Sequence, residues 1–207
     1  FPLYTEDDKV LTTLLILTYY QMQKKIIIGL VGHPGSGKDT VAEYFVKKYG
    51  FTHISTSDLV REYIKKNNLG GLERKNMSKT GTLIREKHGS DYLVSIALKN
   101  ESPRLIISGI RAIREGEEIK KNGGYIVTLR ASLETRYNLL SKRGRTSEGT
   151  FEEFKALDEK EARSADPNAQ NVEGVMELGD FTIENDSTIE SLYNQIDTIF
   201  QIIAAKF

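Results

Sequence analysis

Short continuous apolar runs alternate along this chain with stretches whose apolar positions recur every three or four residues. Ile26-Ile27-Ile28-Gly29-Leu30-Val31 is an unbroken, mostly β-branched run, the pattern of a strand buried on both faces of a parallel sheet. Val41, Ala42, Phe45, Val46 and Tyr49 follow at helical spacing and stop at Gly50, a residue suited to a helix end. The same alternation predicts a strand over Phe51–Thr56, a helix over Leu59–Lys66, and helix over Leu83–Leu98 in two pieces broken near Gly89. Arg104–Ser108 reads as a buried strand, Ile113–Lys121 as a helix, Tyr125–Arg130 as a strand and Leu133–Lys142 as a helix. Phe181–Glu184 is a short last strand. The closing helix is the clearest element: Ile189, Leu192, Tyr193, Ile196, Ile199, Phe200 and Ile203 form one stripe, with Ser187 and Glu190 placed as a capping box. Repeated βα units predict an α/β fold, a parallel sheet with helices on both faces. Only Gly144–Asn171, polar and weakly periodic, reads as a mobile segment.

Composition narrows the chemistry. Lys plus Arg and Asp plus Glu both total 29 in 207 residues, so the chain lacks the basic excess of a nucleic-acid-binding domain. With 39% hydrophobic and 28% charged residues it has the balance of one soluble domain. The absence of cysteine excludes disulfides, thiolate metal sites and cysteine nucleophiles, and makes the cytoplasm the default location. The histidines His33, His53 and His88 show no metal-ligand spacing. Residues 1–25 read as an N-terminal extension, an extra helix or residues foreign to the domain. Its apolar run Leu11–Tyr20 is too short to span a bilayer and suits docking on the domain or on a second copy, so monomer and homodimer both stay open.

Gly32-His33-Pro34-Gly35-Ser36-Gly37-Lys38-Asp39-Thr40 carries the Gly-x4-Gly-Lys core of a phosphate-binding loop, after a buried strand and before a helix. In such a loop successive backbone N–H groups turn inward, the helix N-terminus adds partial positive charge, and the lysine bridges the outer phosphates. Asp39 stands where a Ser or Thr hydroxyl commonly meets magnesium, and Thr40 follows toward the α-phosphate. A helix cap is the plainer role for Asp39.

His53-Ile54-Ser55-Thr56-Ser57-Asp58-Leu59-Val60-Arg61 resembles the acceptor-binding segment of adenylate kinases and related nucleoside-monophosphate kinases. A strand end would deliver Thr56, a helix would start at Ser57 or Asp58, and Arg61 would project one turn in. Leu105-Ile106-Ile107-Ser108-Gly109-Ile110-Arg111 is similar to the buried strand after which an arginine grips the acceptor phosphate in those kinases, with Ser108 in place of the usual Asp. Leu133-Glu134-Thr135-Arg136 leading to Lys142-Arg143-Gly144-Arg145 resembles a kinase lid hinge, and positions 136 and 143 share a helix face. Phe181-Thr182-Ile183-Glu184-Asn185-Asp186 resembles the adenine-side strand and turn of dephospho-coenzyme A kinases and deoxynucleoside-monophosphate kinases; a turn plus helix cap explains it equally.

These resemblances run from Ile26 to about Leu192, and imply a P-loop fold with a five-stranded parallel sheet and a small helical lid, using ATP with magnesium. The implied domain is 26–207, with acceptor-binding region about 57–100 and lid about 144–171. The implied activity is transfer of the γ-phosphoryl of ATP to a nucleoside or deoxynucleoside monophosphate, with no nucleic acid or membrane partner. The resemblance places Gly32, Gly35, Ser36, Gly37, Lys38, Asp39 and Thr40 on the ATP phosphates. Thr56, Asp58, Arg61, Arg74, Arg85 and Arg111 fall on the acceptor. Lys38, Arg111, Arg136, Arg143 and Arg145 act in the transfer, with Arg136 and Asn185 beside the adenine. Asp39 and Ser108 together offer magnesium one acid and one hydroxyl, in exchanged places. Dephospho-coenzyme A kinase is the competing enzyme reading, since Asp58 could deprotonate a ribose hydroxyl. An ATP-driven switch or chaperone-like ATPase is the alternative of another class. The segment 144–171 is expected to hold a short helix from Thr150 and Glu153, loosely packed until nucleotide arrives.

Overall fold

The computed structural model describes Val10, Thr12 and residues 25–142 and 150–207. The N-terminal extension therefore lies largely outside the described residues, as do Arg143 and Arg145. Strands β1 (Ile26–Val31), β2 (Thr52–Ser55), β3 (Arg104–Ser108), β4 (Tyr125–Arg130) and β5 (Phe181–Glu184) form one parallel sheet in the order β2-β3-β1-β4-β5. The helices are α1 (Lys38–Tyr49), α2 (Thr56–Lys66), α3 (Arg74–His88), α4 (Tyr92–Leu98) and α5 (Ile113–Lys121). They are followed by α6 (Leu133–Lys142), α7 (Phe151–Ala162), α8 (Val172–Met176) and α9 (Ile189–Ala204).

The β-branched β1 is buried at every position, because it lies between β3 and β4 with helices over both faces. Alternate residues of the sheet feed two cores. Ile28, Leu30 and Ile106 pack with Phe45 of α1 and Ile196 and Ile203 of α9. Ile27, Val31 and Ile107 pack with Val94 of α4 and Ile119 of α5 on the other face. A smaller cluster, Val60, Ile64, Ile84 and Leu93, joins α2, α3 and α4 into the wall beside the sheet's carboxyl edge. Each fully buried side chain of this kind contributes about 1.5–3 kcal/mol. The chain leaves β1 for α1 where strand order reverses around it, so the phosphate loop opens onto the crevice outside the strand ends.

Three local readings change. Helix α3 begins at Arg74, not Leu83, because Arg74, Ser78, Gly81 and Arg85 border a polar cavity and its apolar contacts, Met77 and Ile84, are too sparse to mark the helix start. Helix α9 is capped by Thr188, whose Oγ1 accepts from the Ser191 N–H at 3.2 Å, not by Ser187. The segment after Thr150 is not loosely packed. Its capping box forms as expected, but Phe154, Asp158 and Glu161 of α7 are all buried.

Candidate active site

The phosphate loop is held open by contacts only glycine tolerates. Gly35 has φ +80°, and a Cβ there would lie 2.5 Å from the Arg136 carbonyl oxygen, so the loop rests directly on the α6 backbone. From the other side Asn185 Nδ2 donates to the Ser36 carbonyl at 2.9 Å, and Asn185 N–H donates to Arg130 O at 2.8 Å. Asn185 thus fastens the loop to the end of β5. Lys38 Nζ folds back to donate to the Gly32 and His33 carbonyls at 2.7 and 2.8 Å. Burial, and next the Arg111 charge, push its pKa well below the usual lysine value. Bound phosphate oxygens would offset both by favouring the charged lysine.

Lys38 and Asp39 border a cavity of about 670 Å³ that also receives Thr56, Asp58, Arg61, Arg74, Arg85, Ser108 and Arg111. The structure brings the acceptor-side residues together, but it gives them different tasks. Arg111 Nη1 is buried and has no hydrogen-bond partner among the described residues. Burial lowers the Arg111 pKa; Glu161 opposes this, while Arg74 and Arg85 reinforce it. Arg85 is 3% exposed and pairs with Glu115, itself 0% exposed, through Nε to Oε1 at 3.0 Å. The other Glu115 oxygen accepts from the Arg111 and Ala112 N–H groups at 2.7 and 3.1 Å. Glu115 therefore shapes the loop that presents Arg111, and Arg85 balances its charge. Thr56 Oγ1 donates to the Gly109 carbonyl at 2.7 Å, tying the start of α2 to the loop after β3. Arg61 pairs with Asp58 at the exposed rim, a contact worth at most about 1 kcal/mol and easily exchanged for phosphate.

Arg136 and Arg74 both pair with the buried face of helix α7. Arg136 makes a forked pair with Asp158, Nη1 to Oδ1 at 2.7 Å and Nη2 to Oδ2 at 2.8 Å. Arg74 makes a second with Glu161, at 2.8 and 3.3 Å. The Phe154 ring lies between the two guanidinium groups, 5.6 Å from Arg74 and 5.7 Å from Arg136. His33 Nδ1 sits 3.4 Å from Asp158 Oδ1. Burial alone would raise the Asp158 pKa, yet His33 and Arg136 outweigh it and hold the carboxyl well below the usual carboxylate range. A carboxyl depressed on folding stabilises at all pH above its unfolded value, near 4, and loses that contribution only as strong acid protonates it. These buried pairs are why α7 packs firmly where its composition suggested otherwise.

Ser108 ends β3 facing the same cavity, and its Oγ lies 2.8 Å from His53 Nε2. Burial lowers the His53 pKa, leaving the imidazole neutral at pH 7. Sequence reasoning passed over His53, Glu115, Asp158 and Glu161. Only Glu115 left a readable trace, as an acid in the first turn of the helix after Arg111. The others act through partners far away in the chain.

A strand, glycine loop and helix at the centre of a parallel sheet, opening on an arginine-lined cavity, define a P-loop kinase architecture. The chain belongs to the AAA-domain family, whose model matches residues 31–153, and is a P-loop kinase domain whose relatives include an adenylate kinase and UPF0200 proteins. It is 30% identical to the UPF0200 protein MJ1399 of Methanocaldococcus jannaschii, across 86% of this chain and 90% of that one. It is 35% identical to human adenylate kinase isoenzyme 1, across 61% of this chain and 69% of the relative. Among solved structures, shikimate kinase from Bacteroides thetaiotaomicron shares the fold. The TM-score is 0.59 at 13% identity, covering 86% of this chain and 98% of that one. No helix among the described residues is long and apolar enough to cross a membrane.

Proposed function

We propose that this protein transfers the γ-phosphoryl group of ATP to a nucleoside or deoxynucleoside monophosphate. The observation that carries the reading is Arg111 Nη1, a buried cationic donor without a partner among the described residues, bordering the same cavity as Lys38. A phosphate monoester satisfies that donor and relieves the crowding of Arg74, Arg85 and Arg111. Its own oxygen is already an anionic nucleophile at neutral pH, so no general base is required. Phosphoryl transfer then rests on positioning and on neutralising the charge of the transferred group. Lys38 holds the donor phosphates, Arg111 the acceptor phosphate, with Arg61 as a rim contact. Asp58, held by Arg61 at the exposed rim, is the base that a dephospho-coenzyme A kinase would use here. Several cavity arginines favour a kinase over a slow ATP-driven switch. A coupled ADP-release assay over nucleoside and deoxynucleoside monophosphates and dephospho-coenzyme A tests the proposal. Turnover with none of the monophosphates would falsify it.

The oxygen donors fit a hard divalent cation, since the Asp39 carboxylate and the Ser108 hydroxyl border one cavity beside Lys38. Magnesium there supplies neutralisation of the β- and γ-phosphate charge. Asp39→Asn keeps the side chain's shape and removes the charge. It is expected to lower turnover about 100-fold, or about 2.7 kcal/mol, and to raise the magnesium midpoint. Asp39 lies in the first turn of α1, behind the Gly37 cap, so near-normal turnover with an unchanged midpoint would leave it as an acid favourable to the helix end.

Residues 144–171 act in this reading as the lid, hinged on α6 beside Arg136. Arriving phosphates compete with Asp158 and Glu161 for their arginines, so the lid is expected to rearrange from a packed state, not to condense from a loose one. Limited proteolysis with and without a bisubstrate analogue checks this. Cleavage within 150–171 should be slow in the free protein and change further with the analogue; an identical pattern in both would contradict a lid.

A further inference from the structure

Gln170 follows α7 in the chain and borders the same cavity as Arg111. The N–H of the next residue, Asn171, donates to the Arg111 carbonyl at 2.8 Å, which fixes this stretch against the Arg111 loop. Gln170 Nε2 donates to Ser78 Oγ on α3 at 2.7 Å, and this bond orients the amide. Its Oε1 is buried and has no hydrogen-bond partner among the described residues.

Two residues that line one cavity therefore each carry a buried atom without a partner among the described residues, the donor Arg111 Nη1 and the acceptor Gln170 Oε1. Leaving either unmade costs on the order of 1–3 kcal/mol, so both call for a partner. A phosphate offers only acceptors and satisfies Arg111 alone. Gln170 Oε1 requires a hydrogen donor on another part of the same ligand. Ser78 strengthens the argument, because its hydroxyl accepts from Gln170 and keeps its own proton to give. Gln170 and Ser78 thus present an acceptor next to a donor, complementary to a base edge that sets an N–H beside an acceptor atom. Val60, Leu72 and Met77 border the same space and give a planar ring apolar walls.

We infer that Gln170 is a specificity-determining residue that accepts a hydrogen bond from an N–H of the acceptor's nucleobase. This rests on the monophosphate-acceptor reading above. It adds that the base is read by a residue at the tail of the lid, anchored on α3.

Isothermal titration calorimetry of the full chain separates the two readings, with ribose 5-phosphate as a probe that has a phosphate and sugar but no base. Wild type is titrated with ribose 5-phosphate and with AMP, CMP, GMP, UMP and dTMP, and compared with Gln170→Leu and Ser78→Ala. At least one monophosphate is expected to bind wild type more tightly than ribose 5-phosphate. That advantage should shrink by ~10-fold in Gln170→Leu and by less in Ser78→Ala. Measuring the ratio within each variant removes any general loss of folded protein. An advantage that survives intact in both variants overturns the inference, as does a wild type that binds ribose 5-phosphate as tightly as every monophosphate. Failure of wild type to bind any of these probes overturns the acceptor reading itself, and this inference with it.

Discussion

Replacing Arg111 by methionine is expected to lower kcat/KM for the acceptor by about 1,000-fold, close to 4 kcal/mol, while leaving the fold intact. The large kinetic effect follows from where the guanidinium sits. It is largely desolvated, near the Lys38 charge, with one buried donor unpaired among the described residues. The small structural effect follows from the same fact. No hydrogen bond from Nη1 is lost, and the repulsion from Arg74 and Arg85 falls. The unfolding free energy should stay within about 1 kcal/mol of wild type or rise, the pattern of a residue kept for function at some cost to stability. Steady-state kinetics with thermal unfolding of the same preparation decides the matter. A variant with full activity, or one that lost activity only because it unfolded, would remove Arg111 from the site.

Glu115→Ala should show the reverse profile, with stability failing first. It strands the Arg85 guanidinium, 3% exposed, without its carboxylate, and it removes the acceptor for the Arg111 and Ala112 N–H groups. Breaking one partner of a buried ion pair costs about 3–5 kcal/mol, a large part of the stability of a domain this size. Urea denaturation should show the loss as a lower midpoint with an unchanged slope. Activity should fall as well, because the loop presenting Arg111 loses its brace. A destabilisation below ~1 kcal/mol would mean that Arg85 finds another partner and that Glu115 does not organise the loop.

The two variants mark the boundary of what local sequence reveals. Arg111 could be found because its neighbours are local: a β-branched strand, a glycine that permits a positive φ, then the arginine. The phosphate loop was legible for the same reason, as was every strand. In the sequence Arg85 is a weaker candidate for the acceptor, and a carboxylate 30 positions away takes its guanidinium. The polar stretch holding α7 reads as a loosely packed helix, but Asp158 and Glu161 find Arg136 and Arg74 across separations of 22 and 87 residues. Helix α3 hid its start because it faces a polar cavity, and an apolar stripe exists only where a helix faces apolar neighbours.

By itself, the sequence determined the elements, their parallel α/β arrangement and the phosphate loop, because hydrophobic periodicity and turn chemistry act over a few residues. The tertiary structure alone decided how the arginines divide their work. Arg85 and Arg136 are held by buried carboxylates, Arg61 is loosely paired at the rim, and Arg111 Nη1 is buried with no partner among the described residues. That division depends on burial and on which carboxylate lies within hydrogen-bond reach, and both arise only when distant segments meet.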